Sequence, residues 1–203
     1  MKSDVAKFVR FCDSPLGREI LRKEAAYIYN ELHGSEAILD VGCGIGSFEQ
    51  HLPTLNIIGL DVSEDMLVEA RKRSDKTFIQ GDAMDLEFHD STFDAVFTVT
   101  TLEFLKDYQK AVREITRVTK PKGKLVAMML NPHSEYFREN VRRPGDYFQR
   151  IKHTNTKEIR GYISRFYVIS KEELFLGIQG EQVFETDDEN LASLYVLVGI
   201  KKR

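Results

Sequence analysis

A chain of 203 residues suits one domain, or one domain with an insertion, and buries roughly 70% of its unfolded surface. A formal net charge of −3 and a pI near 6.0 argue against the basic face that nucleic-acid binding needs. Two cysteines, Cys12 and Cys43, exclude a disulfide framework and a four-thiolate metal site. The apolar run Leu125–Leu130 is too short to span a bilayer. Met1–Val5 carries no apolar signal region, so a cytoplasmic protein without a membrane span is expected.

In chain order, residues 14–32 read as a helix. Ser14 is placed to cap it, Pro15 suits its first turn, and Ile20, Leu21, Tyr27, Ile28 and Leu32 follow a helical period. Ala37–Val41 is a short buried strand that empties into a turn with Gly42, Gly44 and Gly46. Alternate glycines let the backbone take positive φ and lie against a ligand without an intervening Cβ. Gly46, Ser47 and Phe48 open a short helix with free N–H groups, which completes a nucleotide-type cradle. Asn56–Asp61 is a second strand ending in an acid. Ser63 then caps a helix to Arg73, with acids in its first turn and bases in its last.

Thr77–Gln80 is a third strand, followed by the turn Gly81-Asp82-Ala83, and Phe93–Val99 is a fourth. Asp107 caps a helix bearing Tyr108, Val112, Ile115 and Val118 on one face. Pro121-Lys122-Gly123 stops that helix, and Gly123–Leu130 is a fifth strand. This alternation predicts βαβ units, with ligand loops at one edge of a mostly parallel sheet. Residues 131–168 are polar and basic with scattered aromatics, and read as an insertion with one or two short helices. Ser170-Lys171-Glu172-Glu173 predicts a capping box and a short helix. Gln182–Thr186 and Ser193–Ile200 predict two strands joined as an antiparallel hairpin through residues 187–190.

Two ligand classes fit a glycine cradle followed by an acid. A dinucleotide fingerprint reads G-x-G-x-x-G, but here Ser47 stands where the third glycine would fall. The ordered set ILDVGCGIGSF, GLDVSEDMLVEARKR, GDAMDL, FDAVFTVTTLEFLKD and KPKGKLV resembles the class I S-adenosylmethionine-dependent methyltransferases. The likeness is to the small-molecule branch containing the ubiquinone/menaquinone methyltransferase-like proteins, and runs from about Ala37 to Leu130. Ser14-Pro15-Leu16-Gly17-Arg18 resembles a segment that some relatives fold over the cofactor. The resemblance implies a doubly wound α/β domain with a seven-stranded, mostly parallel sheet and a C-terminal antiparallel hairpin. Its parts would be a helical cap (1–34), a cofactor core (35–130), an insertion or lid (131–168), and a C-terminal helix and hairpin (169–203).

The same resemblance implies S-adenosylmethionine as cofactor, S-adenosylhomocysteine as product, and a small-molecule methyl acceptor. Gly42, Cys43, Gly44 and Gly46 would form the cradle. Asp61 would accept from both ribose hydroxyls, and Val62 and Met66 would pack the adenine. The turn Gly81-Asp82-Ala83 would hold the adenine edge. Thr98 and carbonyls near Gly42 would serve the methionine ammonium, and Arg18 its carboxylate. Asp40 would orient the glycine loop or satisfy backbone groups.

Methyl transfer from a sulfonium is an in-line displacement in which the leaving group needs no proton, so a general base is optional. Thr100, Thr101, Glu103 and His133 are candidates on the acceptor side; a loop histidine suits a base near neutral pH, and equally suits solvent. Tyr136, Phe137, Arg142, Arg143, Tyr147 and Phe148 would line a lid, or cover a sheet edge. The chain lacks the Asn/Asp-Pro-Pro-aromatic string of amide and base-amine methyltransferases. Its histidines show no metal-ligand spacing, so no metal is expected. Two alternatives remain open at this point: a nicotinamide-dependent oxidoreductase, and a cofactor-binding sensor or adaptor without turnover.

Overall fold

The computed structural model describes residues 2–143 and 147–203, with side chains from Val5 onward. The predicted insertion therefore includes a stretch, 144–146, that lies outside the described residues, as does Met1 of the opening segment. Two helices come first, α1 (Lys2–Cys12) and α2 (Pro15–Leu32). The Ser14 hydroxyl accepts the Gly17 N–H at the start of α2, the side-chain cap expected from the Ser-Pro pair. Gly17 is required there for space, because a Cβ would stand 1.9 Å from the Phe11 carbonyl oxygen.

The core alternates strand and helix: β1 (Ile38–Val41), α3 (Ser47–His51), β2 (Ile57–Asp61), α4 (Glu64–Arg73), β3 (Thr77–Gln80), β4 (Phe93–Val99), α5 (Tyr108–Val118) and β5 (Thr119–Leu130). A 3₁₀ turn at Leu102–Phe104 lies between β4 and α5. Strands β3, β2, β1, β4 and β5 pair in parallel, with the chain reversing direction across the sheet between β1 and β4. That is the switch point where open α/β sheets bind ligands. All of β1 is buried, as a strand covered on both faces must be. On one face Ile28, Leu32, Phe48 and Leu52 pack on Ile38, Phe97 and Val126. On the other, Val112, Ile115, Ile159 and Ile163 pack on Leu39, Val96 and Leu125.

After β5 come α6 (Glu135–Asn140), a 3₁₀ turn at Tyr147–Arg150 and α7 (Thr156–Ile163). Past α7 the two predicted strands are present, but one element and one connection depart from expectation. Residues 170–173 are not a helix but the middle of a long strand, β6 (Tyr167–Gln179). The Ser170 hydroxyl donates to the Val198 carbonyl rather than capping a helix. Lys171 pairs with Glu31, Glu172 with Arg160, and Glu173 accepts the Tyr27 hydroxyl. Cross-sheet partners thus override a local capping signal. The tight hairpin joins β6 to β7 (Gln182–Phe184), not β7 to β8 (Ala192–Lys201). Strand β8 inserts antiparallel between β5 and β6. The sheet therefore has eight strands, in the order β3-β2-β1-β4-β5-β8-β6-β7, rather than seven. Among the described residues no helix is long and apolar enough to cross a membrane.

Candidate functional site

The loop after β1 holds Gly42, Gly44 and Gly46 at φ of +86°, +54° and +71°, a region L side chains seldom adopt. The space above Gly42 and Gly46 is also claimed. A Cβ on Gly42 would meet Thr101 Oγ1 at 2.3 Å, and one on Gly46 would meet Phe78 Cζ at 2.8 Å. Asp61 closes β2 beside this loop. One of its carboxylate oxygens accepts the Gly44 N–H at 2.9 Å and the other accepts the Ser63 N–H at 2.8 Å. Burial raises the Asp61 pKa above the ordinary carboxylate value, and these N–H donations hold it down in part. Each oxygen keeps a lone pair for a further donor.

Around this pair lie the other expected contacts. Val62 is exposed, and Met66 is half-buried on the first turn of α4. Asp82 Oδ1 accepts the Met84 N–H at 2.8 Å, forming an Asx turn on the surface, while Ala83 is buried beneath it. Gly81 packs so closely on Leu60 that a Cβ would stand 2.9 Å from its Cδ1. Cys43 is buried, and its thiol pKa is pushed far up by burial and by nearby carboxylates, so it serves as a small packed residue rather than a nucleophile. Thr98 is buried, and its hydroxyl has no hydrogen-bond partner among the described residues.

At the end of β4 the chain turns sharply. Thr100 has φ of +45°, an outlier for a β-branched residue and a form of strain that gathers at functional sites. Thr101, next to it, covers Gly42. Glu103 is buried; its Oε1 accepts the Leu130 N–H at 2.9 Å, and its Oε2 has no hydrogen-bond partner among the described residues. Burial lifts its pKa to about 7. Tyr147 stacks on Phe104 with ring centroids 4.2 Å apart and approaches Phe8 of α1 at 6.3 Å. Tyr147 is 42% exposed as a whole, while desolvation of its hydroxyl end and the negative charges of Glu103 and Asp61 raise its pKa.

Other predicted residues stand apart. The Arg18 guanidinium donates to the Asp13 carbonyl at 2.6 Å, on the surface. His133 is exposed, with its N–H bonded to Asn131 Oδ1. Arg142 is exposed beside Glu135, Arg138 and Glu139 on a shallow surface groove. Tyr136 and Phe137 pack edge-on against Phe148, building the insertion's own core. Two contributors escaped the sequence reading. Phe8 lies 3.5 Å from the point where a Gly44 Cβ would stand; the i, i+3, i+4, i+7 spacing of Val5, Phe8, Val9 and Cys12 was the available signal. Glu49 is buried beneath the loop, and nothing in its local pattern marks it. Among the described residues no three His, Cys, Asp or Glu side chains gather as metal ligands.

Residues 39–127 match the family model described as a methyltransferase domain. Over that stretch the chain is similar to methyltransferase domains. Demethylmenaquinone methyltransferase of Thermotoga maritima is 36% identical to it over 138 residues, covering 66% of this chain and 51% of that protein. The Bacillus cereus enzyme of the same name is 37% identical over 118 residues, covering 53% and 49%. The chain thus spans about half the length of the curated relatives it matches. Among solved structures, a methyltransferase of Thermotoga maritima described as a possible histamine N-methyltransferase superposes with a TM-score of 0.82 at 23% identity. That match covers 99% of this chain and 97% of the other. A methyltransferase of Archaeoglobus fulgidus gives 0.75 at 17% identity, covering 95% and 96%. At such identities the likeness is one of fold. The methyltransferase domain implies S-adenosylmethionine as methyl donor. The loop suits that group: Gly44 leaves its part of the cradle open, and Asp61 presents two oriented oxygens at its rim.

Proposed function

We propose that this protein moves the methyl group of S-adenosylmethionine to a small organic acceptor by in-line displacement. The observation that carries the reading is Asp61, held rigid by the Gly44 and Ser63 N–H groups at the mouth of the glycine loop. There it would accept both ribose hydroxyls. Asp82 and Ala83 would meet the adenine edge, with Val62 and Met66 against its faces and Gly81 keeping the turn close. Gly42, Cys43, Gly44 and Gly46 would line the cradle beneath the methionine portion, and Thr98 would serve its ammonium. Arg18, tied to Asp13 on the surface, does not support the proposed carboxylate contact.

When bound, the cofactor supplies a methyl already activated on sulfonium, so the protein's task is alignment and exclusion of water. Phe8, Phe104 and Tyr147 offer an aromatic wall at the β4 edge, which favours a planar or apolar acceptor. Glu103 lies behind this wall, and Thr100 and Thr101 shape its floor. The insertion 131–168 would act as a lid through Tyr147, while Tyr136 and Arg142 serve its own packing and surface. His133, exposed on its loop, is the weakest base candidate.

Calorimetry with S-adenosylhomocysteine tests the reading. Wild type should bind, and Asp61→Ala should bind roughly 100-fold more weakly, the loss of two charge-assisted hydrogen bonds. Binding of NADH in place of S-adenosylhomocysteine would overturn it. Transfer of labelled methyl into a metabolite extract would then separate an enzyme from a sensor.

A further inference from the structure

Beneath the glycine loop two carboxyl groups are buried together. Asp40 lies in β1 and Glu49 in α3, each only 1% exposed, and their side chains are within hydrogen-bonding reach of one another. Gly59, the cross-strand partner of Asp40 in β2, makes room for this meeting. A Cβ there would stand 2.7 Å from Glu49 Oε1 and 2.9 Å from the Cys43 sulfur. Among the described residues Asp40 Oδ2 and both Glu49 oxygens have no donor in hydrogen-bonding geometry, although the Glu49 backbone N–H steadies its own carboxylate in part. Buried polar atoms left in this state cost free energy, and two buried like charges in contact cost more.

We propose that Asp40 and Glu49 share one proton, and that Glu49 is a positioning residue that holds Asp40, and with it the glycine loop, in the cofactor-binding conformation. A single proton, held between Asp40 and one Glu49 oxygen, serves two of these three atoms and leaves the pair one negative charge instead of two. The groups facing the pair agree with this. Asp61 and Cys43 add no positive charge, and among the described residues Lys76 is the cation acting on Glu49. Burial raises both acids, Glu49 to about 7 and Asp40 well above its ordinary value. The pair titrates as a unit.

The inference rests on the cofactor reading for its consequence but not for its first test. Carbon-13 carboxyl NMR of the ligand-free protein should show Asp40 and Glu49 titrating together above the normal carboxylate range. Independent titration of both within that range would overturn the shared proton. S-adenosylhomocysteine affinity, measured by calorimetry, should fall about tenfold or more between about pH 6 and pH 9 as the pair becomes doubly charged. Glu49→Gln should bind as well as wild type near neutrality and lose most of that pH dependence, because its amide N–H replaces the shared proton. Glu49→Leu, which leaves Asp40 unpartnered, should bind at least tenfold more weakly while its melting curve confirms folding. An alkaline fall retained in Glu49→Gln, or wild-type binding by Glu49→Leu, would overturn the positioning role. If wild type failed to bind S-adenosylhomocysteine while the NMR result held, the cofactor reading would fail and the shared proton would stand.

Discussion

At the scale of single residues, missing side chains matter as much as those present. Gly46 and Gly59 leave the space that Phe78, Cys43 and Glu49 occupy, so the loop's shape depends on atoms that are absent. Gly17 plays the same part at the junction of α1 and α2. Its substitution by Ala would force a Cβ against the Phe11 carbonyl and push α1, with Phe8, off the glycine loop. Overpacking of this kind costs about 1–3 kcal/mol, more than the roughly 1 kcal/mol that Ala gains over Gly in a helix. Gly17→Ala should therefore lower the urea midpoint, and S-adenosylhomocysteine affinity should fall with it.

Among elements, the segment between β3 and β4 has no regular structure to hold it in place, yet it bears Asp82 and Ala83. Helix α5 supplies the restraint. Arg117 donates to the Leu86 and Phe88 carbonyls, each at 2.7 Å, and to Asp90 and Glu114. Glu114 in turn accepts the Leu86 N–H at 2.9 Å. Arg117→Ala should destabilise the fold by about 1–3 kcal/mol, since partly buried charge-assisted bonds are lost together. Faster amide exchange across residues 82–92, with α2 and β6 unchanged, would locate the effect. A similar latch holds the N-terminal helices: Asp13, between α1 and α2, forms a two-pronged pair with Arg73 of α4, at 2.9 and 3.0 Å. This joins the cap to the helix that follows Asp61.

For the whole molecule, buried acids set the response to pH. Glu24 of α2 is raised by burial to about 8, Glu49 to about 7 and Glu103 to about 7. Each binds its proton more tightly folded than unfolded. Their contribution is fully present below the unfolded carboxylate value and is lost as pH rises through about 7 to 8. The thermal midpoint should thus be higher near about pH 5.5 than near about pH 9. Glu24→Leu should recover part of the alkaline loss, about 2 kcal/mol or more, since each unit of displaced pKa is worth about 1.4 kcal/mol. A midpoint that rises steadily to pH 9 would refute this. Ion pairs such as Arg22–Glu19 on the exposed surface will add little to the profile.

From residue 14 to residue 130 the order of elements was legible because each signal is local: caps at Ser14, Ser63 and Asp107, glycines after β1, and short apolar runs between turns. The same locality brought Asp61 and the cradle into view, since a strand-end acid and its loop lie a few residues from their own structural causes. In the C-terminal third the strands near 182–186 and 193–200 were legible, but one helix start and one hairpin were misread for the opposite reason. Ser170-Lys171-Glu172-Glu173 has the pattern of a helix start, but the strand is decided by β8, and by Glu31, Tyr27 and Arg160 from elsewhere in the chain. Tertiary structure alone brought Glu49 to Asp40 across Gly59, and set Tyr147 between Phe8 and Phe104. Burial and long-range pairing depend on which surfaces meet, and a local pattern does not show which side chains will be buried together.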